Sequence, residues 1–138
     1  MLNINLSLCK YHDGLTTTLA GLGYTLERKN NVWISSDDTA VQTIVDSYDP
    51  VPATKKIKIQ LLKDEFVRRA GLIFSAIESF DQIELMVEQW LSIVPAARSA
   101  TVEFQSLIDL YVLAKAEATT LNALTDQEVI WAYNTEGW

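Results

Sequence analysis

Ala53-Thr54-Lys55-Lys56-Ile57-Lys58-Ile59-Gln60-Leu61-Leu62-Lys63-Asp64-Glu65-Phe66-Val67-Arg68-Arg69-Ala70 is where the chain changes its period. Before this stretch, apolar residues come in short groups separated by Gly, Asn and Pro. From it onward they recur every three or four residues. Ile59, Leu62, Phe66, Ala70, Ile73 and Ile77 trace one face of a helix expected to run from Ala53 to Ile77, a spacing that fits the α-helical turn and no strand. Ser79 with Gln82 three positions on is a capping-box signal for the next helix. Its face is Ile83, Met86, Val87, Trp90 and Leu91, and Pro95 closes it after Val94. A third helix starts at Ser99 or Thr101 and runs through Phe104, Leu107, Ile108 and Tyr111 to Leu121. Thr125 and Glu128 form a second capping box, opening a short last helix with Val129 and Ile130. Short connections make successive helices antiparallel neighbours, so residues 53–138 predict a helical bundle.

The first fifty residues alternate shorter elements. Ile4, Leu6 and Leu8, with polar residues between them, carry the period-2 pattern of a half-buried strand. A helix follows from Asp13 to Leu22 with Leu15, Leu19 and Leu22 as its apolar face, stopped by Gly23. Tyr24 to Arg28 and Val32 to Ser35 flank Lys29-Asn30-Asn31, and asparagine tolerates positive φ, which predicts a β-hairpin. Ser36 then caps a helix with Asp37 and Asp38 in its first turn and Val41, Ile44, Val45 and Tyr48 on its apolar face. Asp49-Pro50-Val51-Pro52 ends it. The expected fold class is α+β: a small strand/hairpin-plus-helix head over residues 1–52, then a predominantly helical bundle over 53–138. So small a head buries little by itself and is expected to pack with the bundle as one unit.

Composition limits the function classes. The chain has 138 residues, 49% of them hydrophobic and 21% charged, enough apolar surface for a folded core. No apolar run reaches the roughly 18–20 residues of a membrane span, and Met1 to Leu6 has no charged n-region leading into an apolar stretch. No membrane association and no secretion by signal peptide are expected. The net charge of −7 disfavours nucleic acid as a partner. That charge is unevenly placed: residues 1–69 hold nine Lys/Arg and eight Asp/Glu, residues 70–138 two and ten.

Motifs for catalysis are absent: no glycine-rich phosphate loop, nucleophile elbow or paired-histidine zinc signature occurs. Cys9, His12 and Asp13 are the one local grouping of reactive types. With one Cys and one His in the chain, neither a nucleophilic site nor a Cys/His zinc site is completed. Cys9 reads as a small half-buried thiol near a polar turn; having no intrachain partner, it leaves a disulfide to another chain as an alternative. Asp81, Glu84 and Glu88 form a stripe on one helix, which reads as a solvated face. Lys55, Lys56, Lys58, Lys63, Arg68 and Arg69 sit on another, interrupted by Asp64 and Glu65 and without aromatics for base stacking, and read the same way. No metal and no cofactor is expected, and no enzymatic activity. Candidate partner-binding residues are the aromatics Trp33, Trp131, Tyr133 and Trp138, a residue class enriched at protein–protein hot spots. The last three also suit folding back onto the bundle, and Trp90 lies on an apolar stripe and reads as core.

The run Ser35-Ser36-Asp37-Asp38-Thr39-Ala40-Val41-Gln42-Thr43-Ile44-Val45-Asp46-Ser47-Tyr48-Asp49-Pro50-Val51-Pro52, followed by the charged run through Lys55, Lys56, Lys63, Asp64 and Glu65, resembles small proteins encoded among the tail and tail-fibre genes of tailed bacteriophages. Those share a strand-rich head, an acid-acid-x-Ala-Val-Gln-x-Ile helix, a Tyr-Asp-Pro-x-Pro break and long helices. The resemblance covers residues 20–70. It implies a virion, baseplate or assembly protein that binds tail-fibre or baseplate protein as adaptor or chaperone, in the virion tail or in the host cytoplasm during assembly. It carries over no catalytic residue. A homo-oligomer is compatible with it. The acidic half suggests an alternative of another class, a host-directed inhibitor that binds a basic host protein.

Overall fold

The computed structural model describes residues 1–8 and 14–138. Its elements in chain order are α1 (Gly14–Gly21), β1 (Leu26–Lys29), β2 (Val32–Ser35), α2 (Asp38–Ser47), α3 (Val51–Gly71), α4 (Phe80–Leu91), α5 (Val102–Ala123) and α6 (Gln127–Ala132), with 3-10 turns at Leu6–Leu8 and Pro95–Ala97. The expected α+β class is what the chain forms: a two-stranded antiparallel hairpin near the N-terminus, then helices.

The strand expected over Asn3 to Leu8 is not formed. Leu2 and Ile4 are buried, but Leu6 is exposed, and the Leu8 N–H closes a tight turn on the Asn5 carbonyl at 3.0 Å. A strand needs a neighbouring edge, and Asn3 meets a side chain instead. The Gln42 amide accepts from the Asn3 N–H at 2.8 Å and donates to the Asn3 carbonyl at 3.0 Å. One amide replaces one residue of a partner strand, and the extended conformation goes no further.

α1 ends in a Schellman turn. Gly23 adopts φ 87°, its N–H bonds the Ala20 carbonyl, and the Tyr24 N–H reaches back to the Leu19 carbonyl at 2.9 Å. Leu15 and Leu19 are fully buried as expected, whereas Leu22 falls past the last turn and lies exposed. The hairpin has its two-residue loop at Asn30 and Asn31, with φ 50° and 63°, and Lys29 pairs with Val32. Positive φ at both positions is the type I′ geometry that matches strand twist.

α2 is capped by Asp37 rather than Ser36: its carboxylate accepts from the Ala40 N–H at 3.0 Å. Ser36 instead accepts the Thr25 N–H at 3.0 Å and ties the hairpin to the helix. Pro50 both ends α2 and serves as N-cap of α3, with Asp49 accepting from the Val51 N–H at 3.0 Å. α3 stops at Gly71, not at Ile77. A helix continued to Ile77 would leave almost no chain to reverse direction before the Ser79 cap of α4. The Ile73 and Phe74 N–H groups accordingly turn back on the Ala70 carbonyl. In the capping box of α4, Ser79 accepts from the Gln82 N–H as expected, but Gln82 accepts from Glu78, both at 3.1 Å. α4 ends at Leu91, short of Val94, because Pro95 opens a separate turn. Thr101 caps α5, and Asp126, not Thr125, caps α6.

Buried apolar residues fall into two clusters. Leu2, Ile4, Leu15, Leu19, Val41 and Val45 form the first, within the head. The second joins Leu62, Phe66 and Ala70 of α3 to Phe80, Ile83 and Val87 of α4 and Leu107, Ile108, Tyr111 and Ala114 of α5. At its centre Phe66 meets Phe80 edge-on at 5.1 Å and Tyr111 at 6.5 Å. α3 is the axis of the bundle and touches α4, α5 and α6.

Candidate functional site

Of the six basic residues of α3, Lys56 and Arg68 lie on an exposed face as expected, whereas Lys55, Lys58 and Arg69 are turned onto the fold. Lys55, Lys58, Leu62, Glu65 and Arg69 are spaced 3-4-3-4, so one stripe of α3 carries them all. Lys55 Nζ donates to the Asn122 carbonyl at 2.6 Å, in the last turn of α5. Lys58 donates to the Tyr133 carbonyl at 3.0 Å, at the C-cap of α6. Neither helix has a basic residue in its own last turn, so α3 supplies the cations that their C-terminal carbonyls favour. The Arg69 guanidinium donates to the Trp138 carbonyl and, at 2.7 Å, to the Glu136 carbonyl. It also bonds Glu65 at 2.7 Å. Hydrogen bonds from Arg68 and Arg69 hold the buried Glu65 carboxyl down at about 2, while burial lowers Lys58 from its ordinary value.

This stripe receives three of the four aromatics expected as partner anchors. Trp131 lies under Lys58, with Nζ 4.8 Å from the ring centroid. Trp138 stacks on Arg69 at 4.2 Å, and its indole N–H donates to the Thr135 carbonyl at 2.5 Å. Tyr133 packs on the bundle core, and its hydroxyl donates to Glu117. Burial, and then Glu117, push that hydroxyl up to about 12. Trp33 is apart from them, on the inward side of the hairpin, half-buried against the head cluster with Arg28 5.7 Å from its ring. All four rings are thus engaged within their own fold. Trp90 packs edge-on against Phe104 at 6.1 Å and donates to the Ser99 carbonyl at 3.0 Å, under Arg98.

The acidic stripe of α4 is exposed at Asp81 and Glu88, as expected of a solvated face, but it also makes contacts across the bundle. Lys115 of α5 donates to Glu84 at 2.8 Å, and the buried Tyr111 hydroxyl donates to Glu88 at 2.7 Å. Asp81 sits 3.7 Å from Lys63. Lys115 lowers Glu84, and burial with Glu88 raises Tyr111 to about 12. The network zips α4 to α5 beside their apolar contact. Among the described residues no three His, Cys, Asp or Glu side chains converge as metal ligands. Cys9, His12 and Asp13 lie outside the described residues. No helix among the described residues is long and apolar enough to cross a membrane.

Part of the exposed surface is apolar. Met86, placed by periodicity in the core, is 46% exposed, because α4 is packed on one side only and Ile83 and Val87 fill that contact. Leu85 at 63%, beside Met86 in sequence, and Ile93 at 43% and Val94 at 68%, just past the end of α4, are exposed as well. Beside them runs a groove of about 220 Å³ between the α3–α4 connection and the faces of α4 and α5, walled by Phe74, Ile77, Ile83, Met86, Phe104 and Leu107. Nothing in the sequence singled it out. Its one cue is the run Leu72-Ile73-Phe74, too apolar for a simple connection and too close to Ser79 to remain helical.

Comparison with family models, with curated proteins and with solved structures finds no match to this chain.

Proposed function

We propose that the chain is a non-catalytic component of a phage tail, binding tail-fibre or baseplate protein as an adaptor or assembly chaperone. The observation that carries the binding role is the apolar groove beside α4, walled by Phe74, Ile77, Met86 and Phe104, together with the exposed Leu85, Ile93 and Val94 on and just after that helix. Large side chains grouped in this way lose free energy in water, about 1.5–3 kcal/mol each, and a partner that covers them recovers it. The tail assignment rests on the likeness of residues 20–70 to tail-gene products. The aromatics Trp33, Trp131, Tyr133 and Trp138 then shape the molecule more than they meet its partner. The deciding experiment is co-expression with tail-fibre protein, followed by size-exclusion chromatography with light scattering. A stable complex, or fibre that is soluble only in its presence, supports the reading. Fibre that folds alone and elutes separately refutes it.

One observation favours the second reading, a host-directed inhibitor of a basic protein. Residues 70–138 hold ten acids against two cations; Arg98 donates to backbone carbonyls and Lys115 pairs with Glu84 and Glu88, so the half keeps a large acidic excess. A complex with a basic host protein that dissociates steeply with salt would favour it.

A further inference from the structure

We propose that the outward face of α5 is where two copies of this chain pack, antiparallel, about a two-fold axis between Val112 and Leu113. α5 carries apolar residues on both sides. Its inner side gives Leu107, Ile108, Tyr111 and Ala114 to the core, and its outer side exposes Val102 at 81%, Val112 at 52% and Leu113 at 44%. A helix that only borders solvent turns charges outward, as α3 does with Lys56, Asp64 and Arg68. The outer stripe of α5 runs at three- and four-residue spacing from Val102 through Asp109, Val112 and Ala116 to Ala123, and Asp109 is its one charge. The polar residues of the stripe are already served within the helix. Ser106, Thr119 and Thr120 donate to the carbonyls four residues back at 3.0, 3.0 and 3.1 Å, and Gln105 donates to Asp109 at 2.9 Å. Such a face can be covered without orphaning those hydroxyls.

The order of residues along the stripe selects the occupant. Laid antiparallel on itself about that axis, the face sets Val112 against Leu113, Gln105 against Thr120 and Ser106 against Thr119. Val102 then meets Ala123, and Asp109 meets Ala116. The two Asp109 carboxylates stand seven residues apart along the pair, about 10 Å. Other self-pairings fare worse. Parallel packing in register, or antiparallel packing slid one heptad toward the N-terminus, puts Asp109 against its twin. A slide the other way leaves Val102 beyond the end of the facing helix. Antiparallel packing also lays each helix N-terminus beside the other's C-terminus, where the dipoles attract. Helices of 22 residues pack along about 33 Å, an interface at the small end of specific ones, so the dimer forms at micromolar concentration. This pairing does not depend on the tail assignment. It also leaves the groove free, because Phe104 and Leu107 line the groove from the inner side of α5.

The test is sedimentation equilibrium of the full chain from roughly 1 to 500 μM. The expected mass rises from one chain to two and stops there, since a two-fold contact closes. Leu113→Lys, at an exposed position beside the axis, weakens dimerisation at least about tenfold. Ala116→Lys, also exposed and facing the second copy's Asp109, tightens it about threefold at low salt, and Ala116→Glu weakens it by a similar factor. The gain with Ala116→Lys cannot come from a chain that fails to fold. A chain that stays monomeric throughout overturns the proposal. So does a dimer indifferent to Leu113→Lys, or one that Leu85→Ser/Met86→Gln dissolves instead. Equal effects of Ala116→Lys and Ala116→Glu overturn the antiparallel pairing. If the outer stripe gains protection from hydrogen exchange only in a complex with tail-fibre protein, that protein covers the face and the proposal fails.

Discussion

Replacing Arg69 by Ala tests whether the C-terminal segment is clamped by α3. The guanidinium bonds the carbonyls of Glu136 and Trp138 and stacks on the Trp138 ring at 4.2 Å. A hydrogen bond from a charged donor is worth about 1.5–3 kcal/mol net. Here the lower end applies, since both carbonyls regain water when the segment lifts. The stacked cation adds about 0.5–1 kcal/mol. Against this, ordering of the last three residues is released, which returns about 1 kcal/mol per residue. Glu65 keeps its bond to Arg68 at 2.7 Å and is not orphaned. The balance is a loss of about 0.5–1 kcal/mol, read by urea unfolding, with Tm lower by roughly 2–5 °C. Hydrogen exchange should rise from Tyr133 to Trp138 and stay unchanged in the head. Arg69→Lys keeps the charge but not the fork and should recover less than half. A variant whose stability does not fall, or one whose exchange rises evenly along the chain, would refute the clamp.

Phe66→Ala empties the centre of the bundle beside Phe80 and Tyr111 and should cost about 3–5 kcal/mol in chemical unfolding; a loss below about 1.5 kcal/mol would mean that the three rings are not packed as described. Glu65 is a depressed carboxylate, so its stabilisation is complete above the ordinary value of 4.5 and is lost as pH falls toward about 2. Glu65→Gln should flatten the stability–pH curve across that window, and an unchanged curve would show the acid response to lie elsewhere. Asn31→Gly, at φ 63°, relieves a left-handed residue in the type I′ loop and should stabilise by about 0.5 kcal/mol, visible as a small rise in Tm.

Helix existence was legible because it depends on local period: every helix expected in the bundle is present. Their ends were less so. The sequence offers Ser36 and Thr125 as caps, yet Asp37 and Asp126, each one residue later, hold those positions. Adjacent residues of capping type compete, and geometry decides between them. The strand at Asn3 to Leu8 had the right alternation but no edge to join, which is a tertiary condition. The same holds for the charges. The spacing of Lys55, Lys58 and Arg69 is visible in the sequence, but the carbonyls they meet come from Asn122, Tyr133, Glu136 and Trp138, far along the chain. The apolar groove was hidden for a related reason. Periodicity reports which side of a helix is apolar, not whether a neighbour covers it, so Met86 and Phe104 looked like ordinary core positions.

The central claim is that this chain works by covering the apolar side of α4 and its groove with a protein partner. Hydrogen exchange of the chain alone and in its complex with co-purified tail-fibre protein tests it most directly. New protection confined to residues 74–94 and 102–107, and absent when Leu85→Ser/Met86→Gln replaces the parent, is the predicted result. Protection confined to the head or to the C-terminal segment, with the α4 side still exchanging as in the free protein, would contradict it.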